Sequence, residues 1–475
     1  MDNWLQKRVS LTPNRRALSY HKQNWNFTEL QQAVLTVCNH LVGQKVQKLH
    51  RVAILGNNTP QLYFTILALQ QLGIEMVFIN KNLALPEIEY QLQDADVSLL
   101  IYADQFQTKL QALQSASLIS LEELMNSNSI DATPFIKSEF APDQVTSIMY
   151  TSGTTGNPKG VQQTFRNHWS SAIGADLNLP VTAKDTWICA VPLFHISGFS
   201  IMMRSLIYGM NVRLYEHFAP ELINQDLVDG NGTIMSVVPY MLKKLLSLKK
   251  HAYSENFSYL LLGGGAIDRK TLEACKAMNL KVIQSYGMTE TASQVVALNF
   301  ADAIRKLGSV GKPLFTVSLK IKGATQPHQI GEVLLKADNL TPGYLNHAEP
   351  ITTNGWFATG DLGYLDEDGF LYLKSRLSEL IISGGENIYP REVETEINQF
   401  PGVLESAVVG KPDATWGAVP VAFIVTSTEV DFSQLTAYLL TKLAKYKVPK
   451  KFMLLDELPK THNGKLRRQA LQAQI

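Results

Sequence analysis

The run Tyr150-Thr151-Ser152-Gly153-Thr154-Thr155-Gly156-Asn157-Pro158-Lys159-Gly160 carries the densest chemical signal in this chain. Glycines let backbone N–H groups approach a polyanion, hydroxyls add donors, and the lysine adds a point charge. The pattern is that of a phosphate loop. It is not a Walker loop, which needs G-x-x-x-x-G-K-[ST], because here Lys159 is followed by Gly160. A second candidate is Leu262-Gly263-Gly264-Gly265-Ala266, where three glycines leave room for a flat base or an acyl group. A third is Ser285-Tyr286-Gly287-Met288-Thr289-Glu290-Thr291, which supplies an aromatic ring, hydroxyls and one carboxylate.

Each of these needs a strand ending beside it, and the sequence provides them. The apolar run Val145 to Tyr150 predicts a strand that delivers the phosphate loop at its carboxyl end, where α/β proteins place ligands. Arg51 to Leu55 predicts another strand. Thr59-Pro60 follows as an N-cap with proline at the first helical position, Gly73 as the stop, and Glu75 to Ile79 as the next strand. That βαβ unit favours a parallel sheet. Runs at Trp187 to Val191, Val212 to Tyr215, Thr233 to Val238, Tyr259 to Leu262 and Lys281 to Gln284 continue it. From about Ser309 the sequence turns glycine-punctuated and β-rich (Gly331 to Lys336, Gly369 to Leu373), which predicts an antiparallel subdomain. Beyond Ser375-Arg376-Leu377-Ser378-Glu379 the pattern is α+β: strands at Glu405 to Val409 and Val421 to Val425, a helix starting near Arg391, and a helix from Ser433 to about Tyr446. The fold class is therefore α/β: a large N-terminal domain of mainly parallel sheets flanked by helices, a β-rich subdomain, and a small α+β C-terminal domain.

At 475 residues the chain exceeds a single core. Lys+Arg of 43 against Asp+Glu of 42 gives a net charge of +1, which excludes a strongly basic nucleic-acid or membrane-surface binder. Cys38, Cys189 and Cys275 are widely spaced and follow no metal-ligand pattern, as expected of buried thiols in a reducing compartment. The first residues have no apolar segment of the signal-peptide kind, and no run approaches the roughly 18 apolar residues of a span. The expected location is the cytoplasm. The basic C-terminal residues, Lys442 to Arg468, form either a solvated face or a surface that meets coenzyme phosphates.

The order T-S-G-T-T-G-x-P-K-G, S-Y-G-M-T-E, T-G-D at Thr359-Gly360-Asp361 and P-K-T-x-x-G-K ending at Lys465 resembles the adenylate-forming superfamily of acyl-CoA synthetases, peptide-synthetase adenylation domains and luciferases. The resemblance covers essentially the whole chain. It implies ATP, Mg²⁺ and coenzyme A. It implies that Thr151, Ser152, Gly153, Thr154, Thr155, Gly156 and Lys159 receive the nucleotide phosphates, with Gly263, Gly264, Gly265 and Gly287 beside the nucleotide. Tyr286 would lie against adenine, Thr289 near the α-phosphate, Glu290 on Mg²⁺, and Asp361 with Arg376 on the ribose. Lys465 would be the catalytic lysine, and Gly384, Gly385 and Glu386 would line the coenzyme path. Residues 1–375 would form the adenylation domain, with the β-rich part at about 309–375. Residues 376–380 would be a hinge and 381–475 a mobile domain that presents two faces in turn. Ser378 sits at the hinge where many relatives carry Asp or Lys.

Four further runs are similar to the branch serving menaquinone biosynthesis, whose acid is o-succinylbenzoate: Asn3 to Pro13 (N-W-L-x-x-R…L-T-P), Pro192 to Ser200, the stretch ending at Gln294, and I-S-G-G-E-N-I-Y-P. That resemblance implies adenylation of the succinyl carboxylate and a pocket involving His195, Gly198, Ser285, Gly287 and Gln294. His195 is otherwise a satisfied core histidine. The benzoate needs a cation or a set of donors. Arg204 interrupts the apolar run Ile201-Met202-Met203…Ser205-Leu206-Ile207, so its charge needs a partner: the substrate, an internal acid, or solvent. Other readings are an aryl or medium-chain acyl-CoA ligase of the same mechanism, a stand-alone enzyme that loads a carrier protein, and a non-catalytic adenylate-binding module. Retention of Glu290 and Lys465 argues against the last. Enzymes of this kind are often dimers or larger.

Overall fold

The structure is a computed structural model that describes residues 1–127, 134–151, 158–179, 181–265, 267–383, 386–413, 416–443, 445–461 and 464–475. The chain divides into two compact units, Met1–Ser318 with Lys336–Phe357, and Leu319–Leu335 with Ala358–Ile475.

The first unit holds two large sheets. One has six strands in the order Ser117–Ser120, Leu99–Tyr102, Arg51–Leu55, Glu75–Phe78, Val145–Thr151, Lys159–Thr164, all parallel but the last. The βαβ expectation holds. Thr59 accepts the N–H of Leu62 at the start of the helix Pro60–Leu72, and Gly73 ends it at φ +75°. Glu75–Phe78 is buried at every position, as a strand covered on both faces must be. The second sheet has nine strands: Lys312–Pro313, Ser293–Leu298, Val282–Met288, Tyr259–Leu262, Ile234–Val237, Thr186–Cys189, Asn211–Leu214, Arg16–Tyr20, Gln23–Asn26. Its interior strands are parallel, and antiparallel strands close both edges.

In the second unit, residues 361–365 of the strand Trp356–Leu365 pair antiparallel with Leu371–Arg376, so the β-rich expectation for this stretch holds. Its C-terminal part is a sheet of Glu386–Ile388, Ile381–Ser383, Gly417–Thr426 and Val403–Asp413, with Lys451–Leu454 parallel to Gly417–Thr426. The helices Pro390–Ile397 and Phe432–Lys442 bury Val393, Ile397, Leu435 and Leu439 against it. The latter helix stops at Lys442 rather than about Tyr446, and Lys445–Lys447 is a separate 3-10 turn. The chain leaves the helix at Leu443, which is extended (φ −126°, ψ 151°), and the proline at 449 then keeps Val448 out of any helix that would resume. Among the described residues no helix is long and apolar enough to cross a membrane.

Candidate active site

The strand Val145–Thr151 ends opposite Lys159, which opens the antiparallel strand Lys159–Thr164. The strands on either side of residues 152–157 thus pair as antiparallel neighbours, whereas a Walker loop runs into a helix. Ser152, Gly153, Thr154, Thr155 and Gly156 lie outside the described residues. The Lys159 ammonium sits 5.2 Å from the centre of the Tyr344 ring. The Tyr344 hydroxyl donates to Glu290 Oε1 at 3.0 Å. Three backbone bonds stitch the same elements together. Leu345 N–H donates to Gly160 O (2.7 Å), Gln162 N–H to Gly343 O (3.2 Å) and Thr341 N–H to Glu290 O (2.8 Å). The sequence reading did not single out Thr341-Pro342-Gly343-Tyr344, although an aromatic inside a Pro-Gly turn was an available signal.

Thr289 is held from behind. Gln163 Nε2 donates to Thr289 O at 2.9 Å, which leaves Gln163 Oε1 to accept the Ser147 hydroxyl at 2.8 Å. Having given its one proton away, Ser147 Oγ must accept from His168 Nε2–H at 3.0 Å. Burial, helped by the nearby charge of Arg204, pushes His168 down to about 3, so its ring is neutral and the donor order is fixed.

Gly287 faces Ser293 and Gln294 across the hairpin of Val282–Met288 with Ser293–Leu298. A Cβ there would lie 2.0 Å from Ser293 O and 2.7 Å from Gln294 Cα, so only glycine allows this approach. Tyr286 is buried beside it. One strand over, Tyr259–Leu262 runs parallel and ends at Gly263, Gly264 and Gly265, with Gly264 at φ +77°. Ser285 Oγ donates to Leu262 O at 3.1 Å. The glycine turn and the Ser285–Glu290 segment therefore share one edge of the site.

His195 is the half-buried N-cap of the helix Ile196–Tyr208, with Phe194 4.5 Å from its ring. A Cβ on Gly198 would lie 2.2 Å from Pro192 O, so that glycine lets the first turn sit on the strand end. Asn58, which the sequence reading passed over, clamps this loop. Its amide donates to Val191 O and its carbonyl accepts Leu193 N–H, both at 2.9 Å. At the other end of the helix, Arg8 donates to the carbonyls of Leu206 and Ile207, which explains the arginine of the N-terminal motif. Arg204 lies nine residues past His195, roughly 14 Å along the axis.

Arg204 neither reaches the surface nor pairs with an internal acid, which removes two of its three expected partners. It is 2% exposed, and no carboxylate lies within ion-pair distance among the described residues. Its Nη2 donates to Ser293 Oγ at 3.2 Å, and the Trp187 ring lies 5.5 Å away. Its Nε has no protein acceptor, and neither amide atom of buried Gln294 has a protein partner. Unpartnered polar atoms at this depth are costly unless a ligand satisfies them. The donor set also suits Mg²⁺. Glu290 supplies one carboxylate, and this ion takes one or two carboxylates with phosphate oxygens. No cluster of three metal-binding side chains occurs among the described residues.

Within the second unit, Asp361 and Arg376 face each other across the strand pair, with Arg376 Nε 2.7 Å from Asp361 Oδ1. Arg376 also donates to Thr359 O at 3.1 Å. Ser378 is exposed in the 3-10 turn Leu377–Glu379. Glu386 is exposed and opposite Ser383, while Gly384 and Gly385 lie outside the described residues. Lys465 is exposed on a turn closed by Thr461 N–H to Lys465 O at 2.6 Å. The basic terminus is not uniformly a solvated or phosphate-facing surface. Arg468 is committed to Glu379 and Glu394, Lys447 to Glu392 (2.9 Å) and Lys460 to Glu405 (2.7 Å).

Residues 5–345 match the family model of the AMP-binding enzyme, and 392–465 match that of the AMP-binding enzyme C-terminal domain. A 2-succinylbenzoate–CoA ligase of Enterococcus faecalis is 47% identical over 98% of this chain and 96% of its own. The o-succinylbenzoate CoA synthetase of Bacillus subtilis in complex with the acyl-adenylate OSB-AMP is 40% identical, with a TM-score of 0.94 over 99% of this chain and 98% of that one. The same enzyme in complex with ATP and magnesium gives 0.93 at 40% identity, covering 99% of each chain.

Proposed function

The chain belongs to the AMP-binding enzyme family, and on that premise we propose that it is an acid–thiol ligase that converts o-succinylbenzoate to its CoA thioester. The succinyl carboxylate attacks the α-phosphorus of ATP, the α–β phosphoanhydride bond breaks, and pyrophosphate leaves. The thiol of coenzyme A then gives up its proton and attacks the acyl carbon, and AMP departs with the bonding electrons. The observation that carries the first step is the meeting of Lys159 and Glu290 on Tyr344, with Thr289 held by the Gln163–Ser147–His168 chain.

In this reading Thr151 to Gly156 and Lys159 cradle the phosphates, Tyr286 and Gly263–Gly265 border the base, and Thr289 donates near the α-phosphate. Glu290 would hold Mg²⁺, which supplies charge neutralisation on the phosphates when bound. Asp361 would accept the ribose hydroxyls, and Arg376, already anchored on it, would fix its orientation. Lys465 would meet the charge that grows on the phosphoryl and carboxylate oxygens, then withdraw about the hinge at 376–380 so that Gly384, Gly385 and Glu386 line the thiol's path. His195 and Gly198 would border the acyl carbon, with Ser285, Gly287 and Gln294 along the pocket. Arg204, buried and short of acceptors, would take the benzoate. The three cysteines are free and buried, which suits the cytoplasm.

The test is pyrophosphate release from ATP and Mg²⁺ with o-succinylbenzoate, benzoate, 4-coumarate or octanoate, with and without CoA. Selective turnover of o-succinylbenzoate, completed to the thioester only with CoA, is expected. Turnover of another acid would keep the mechanism and discard the substrate. No turnover with any of them would overturn the reading.

A further inference from the structure

Lys159 and Glu290 belong to elements that nothing in the local sequence ties together. Lys159 opens a strand of the six-stranded sheet, and Glu290 lies in the 3-10 turn Thr289–Thr291 that follows a strand of the nine-stranded one. Both end on Tyr344, from a third segment. Its ring lies under the ammonium at 5.2 Å, and its hydroxyl donates to Glu290 Oε1 at 3.0 Å. The tyrosine has little freedom of its own. Its backbone bridges to Val161, the next residue's N–H holds Gly160 O, and Thr341 N–H holds Glu290 O at 2.8 Å.

We propose that Tyr344 is a positioning residue for the metal–nucleotide complex, which fixes the carboxylate of Glu290 and the ammonium of Lys159 in one arrangement before either ligand arrives. The proposal rests on the reading of Glu290 as the Mg²⁺ carboxylate. A carboxylate has about four lone-pair sites, so a phenol on Oε1 leaves Oε2 to present to a cation. The phenol also removes the rotamer freedom that binding would otherwise have to remove. Donors behind a metal ligand are worth about 10–100-fold in metal affinity. The ring does the equivalent for the lysine, offering its π face to the ammonium.

Tyr344→Phe keeps the ring and removes the donor, whereas Tyr344→Leu removes both. The probe is Mn²⁺, followed by electron paramagnetic resonance in the full-length protein with an ATP analogue carrying a methylene in place of the α–β bridging oxygen. In Y344F, Mn²⁺ affinity at saturating analogue is expected to fall about 10-fold. Analogue binding in EDTA and the melting temperature are expected to match the wild type. In Y344L, analogue binding in EDTA weakens as well, because Lys159 loses its platform. Unchanged Mn²⁺ affinity in Y344F would overturn the proposal while leaving the function intact. Parallel loss of metal affinity, metal-free nucleotide affinity and melting temperature in Y344F would assign the tyrosine a merely structural role and overturn it too. A wild-type protein that binds no Mn²⁺ with the analogue would remove the reading of Glu290 and this proposal together.

Discussion

Replacing Arg204 by methionine separates an anchor for the substrate from a residue of the core. The guanidinium is almost fully buried, yet among the described residues it meets only the hydroxyls of Ser293 (3.2 Å) and Tyr208 and the face of Trp187, with no carboxylate. Exchanging a buried charge for an apolar side chain of similar length is neutral to stabilising, by up to about 4 kcal/mol. The melting temperature of R204M is therefore expected to equal or exceed the wild type. The benzoate would lose a desolvated, charge-assisted contact worth about 2–4 kcal/mol, a factor of roughly 30 to 1000 in kcat/KM. The assay is pyrophosphate release with two acids, o-succinylbenzoate and 4-oxo-4-phenylbutanoate, which lacks the ring carboxylate. R204M should lose the first and keep or gain the second. Equal losses with both acids, or a lower melting temperature with activity retained, would refute the assignment of Arg204 as the anchor.

Lys465→Ala should slow adenylation by about 10²–10³-fold, the cost of one transition-state donor, while thioester formation from supplied acyl-adenylate stays near wild type. Equal damage to both steps, read by single-turnover kinetics, would sink the two-face scheme. Gly287→Ala would drive a methyl into the backbone of Ser293 and Gln294, which costs about 1–3 kcal/mol and displaces Gln294. Its melting temperature and adenylation rate should both fall, whereas Gly323→Ala, at φ +76° but with open space around it, should lower the melting temperature and change the rate little. His168 has a folded pKa of about 3, below the roughly 6.5 of an unfolded histidine. The unfolded state therefore binds the extra proton between these values, and this group's contribution to stability, full above pH 6.5, is lost as pH falls toward 3. At pH 5 the loss is about 2 kcal/mol. His168→Asn should flatten that slope in denaturant titrations, and an unchanged slope would contradict a buried neutral histidine.

Short-range signals transferred well from sequence to structure. The strand Val145–Thr151 follows from an apolar run, and the Thr59–Pro60–Gly73 helix and the glycine turn at 263–265 each depend on one residue's φ or one cap, all of which a local pattern records. The partners of Arg204 and the role of the arginine in the opening motif were not legible, because both depend on residues far along the chain. Arg8 meets carbonyls at 206 and 207, and Arg204 meets Ser293. Asn58 and Tyr344 were missed for the same reason. An asparagine after a strand and a tyrosine after Pro-Gly read as ordinary turn residues until their distant contacts are known.

By itself, the sequence determined the α/β class, the strand that leads into the glycine- and hydroxyl-rich run at 151–160 and the residue types that can handle a nucleotide, since glycine freedom, hydroxyl donors and charge are properties of residues in order. Only the tertiary structure decided that Arg204 meets no internal acid among the described residues, that His168 is neutral and starts a one-way donor chain that ends on Thr289, and that Lys159 and Glu290 share Tyr344. Those depend on desolvation and on distances of a few ångströms between residues tens to hundreds apart in the chain, which no local pattern encodes.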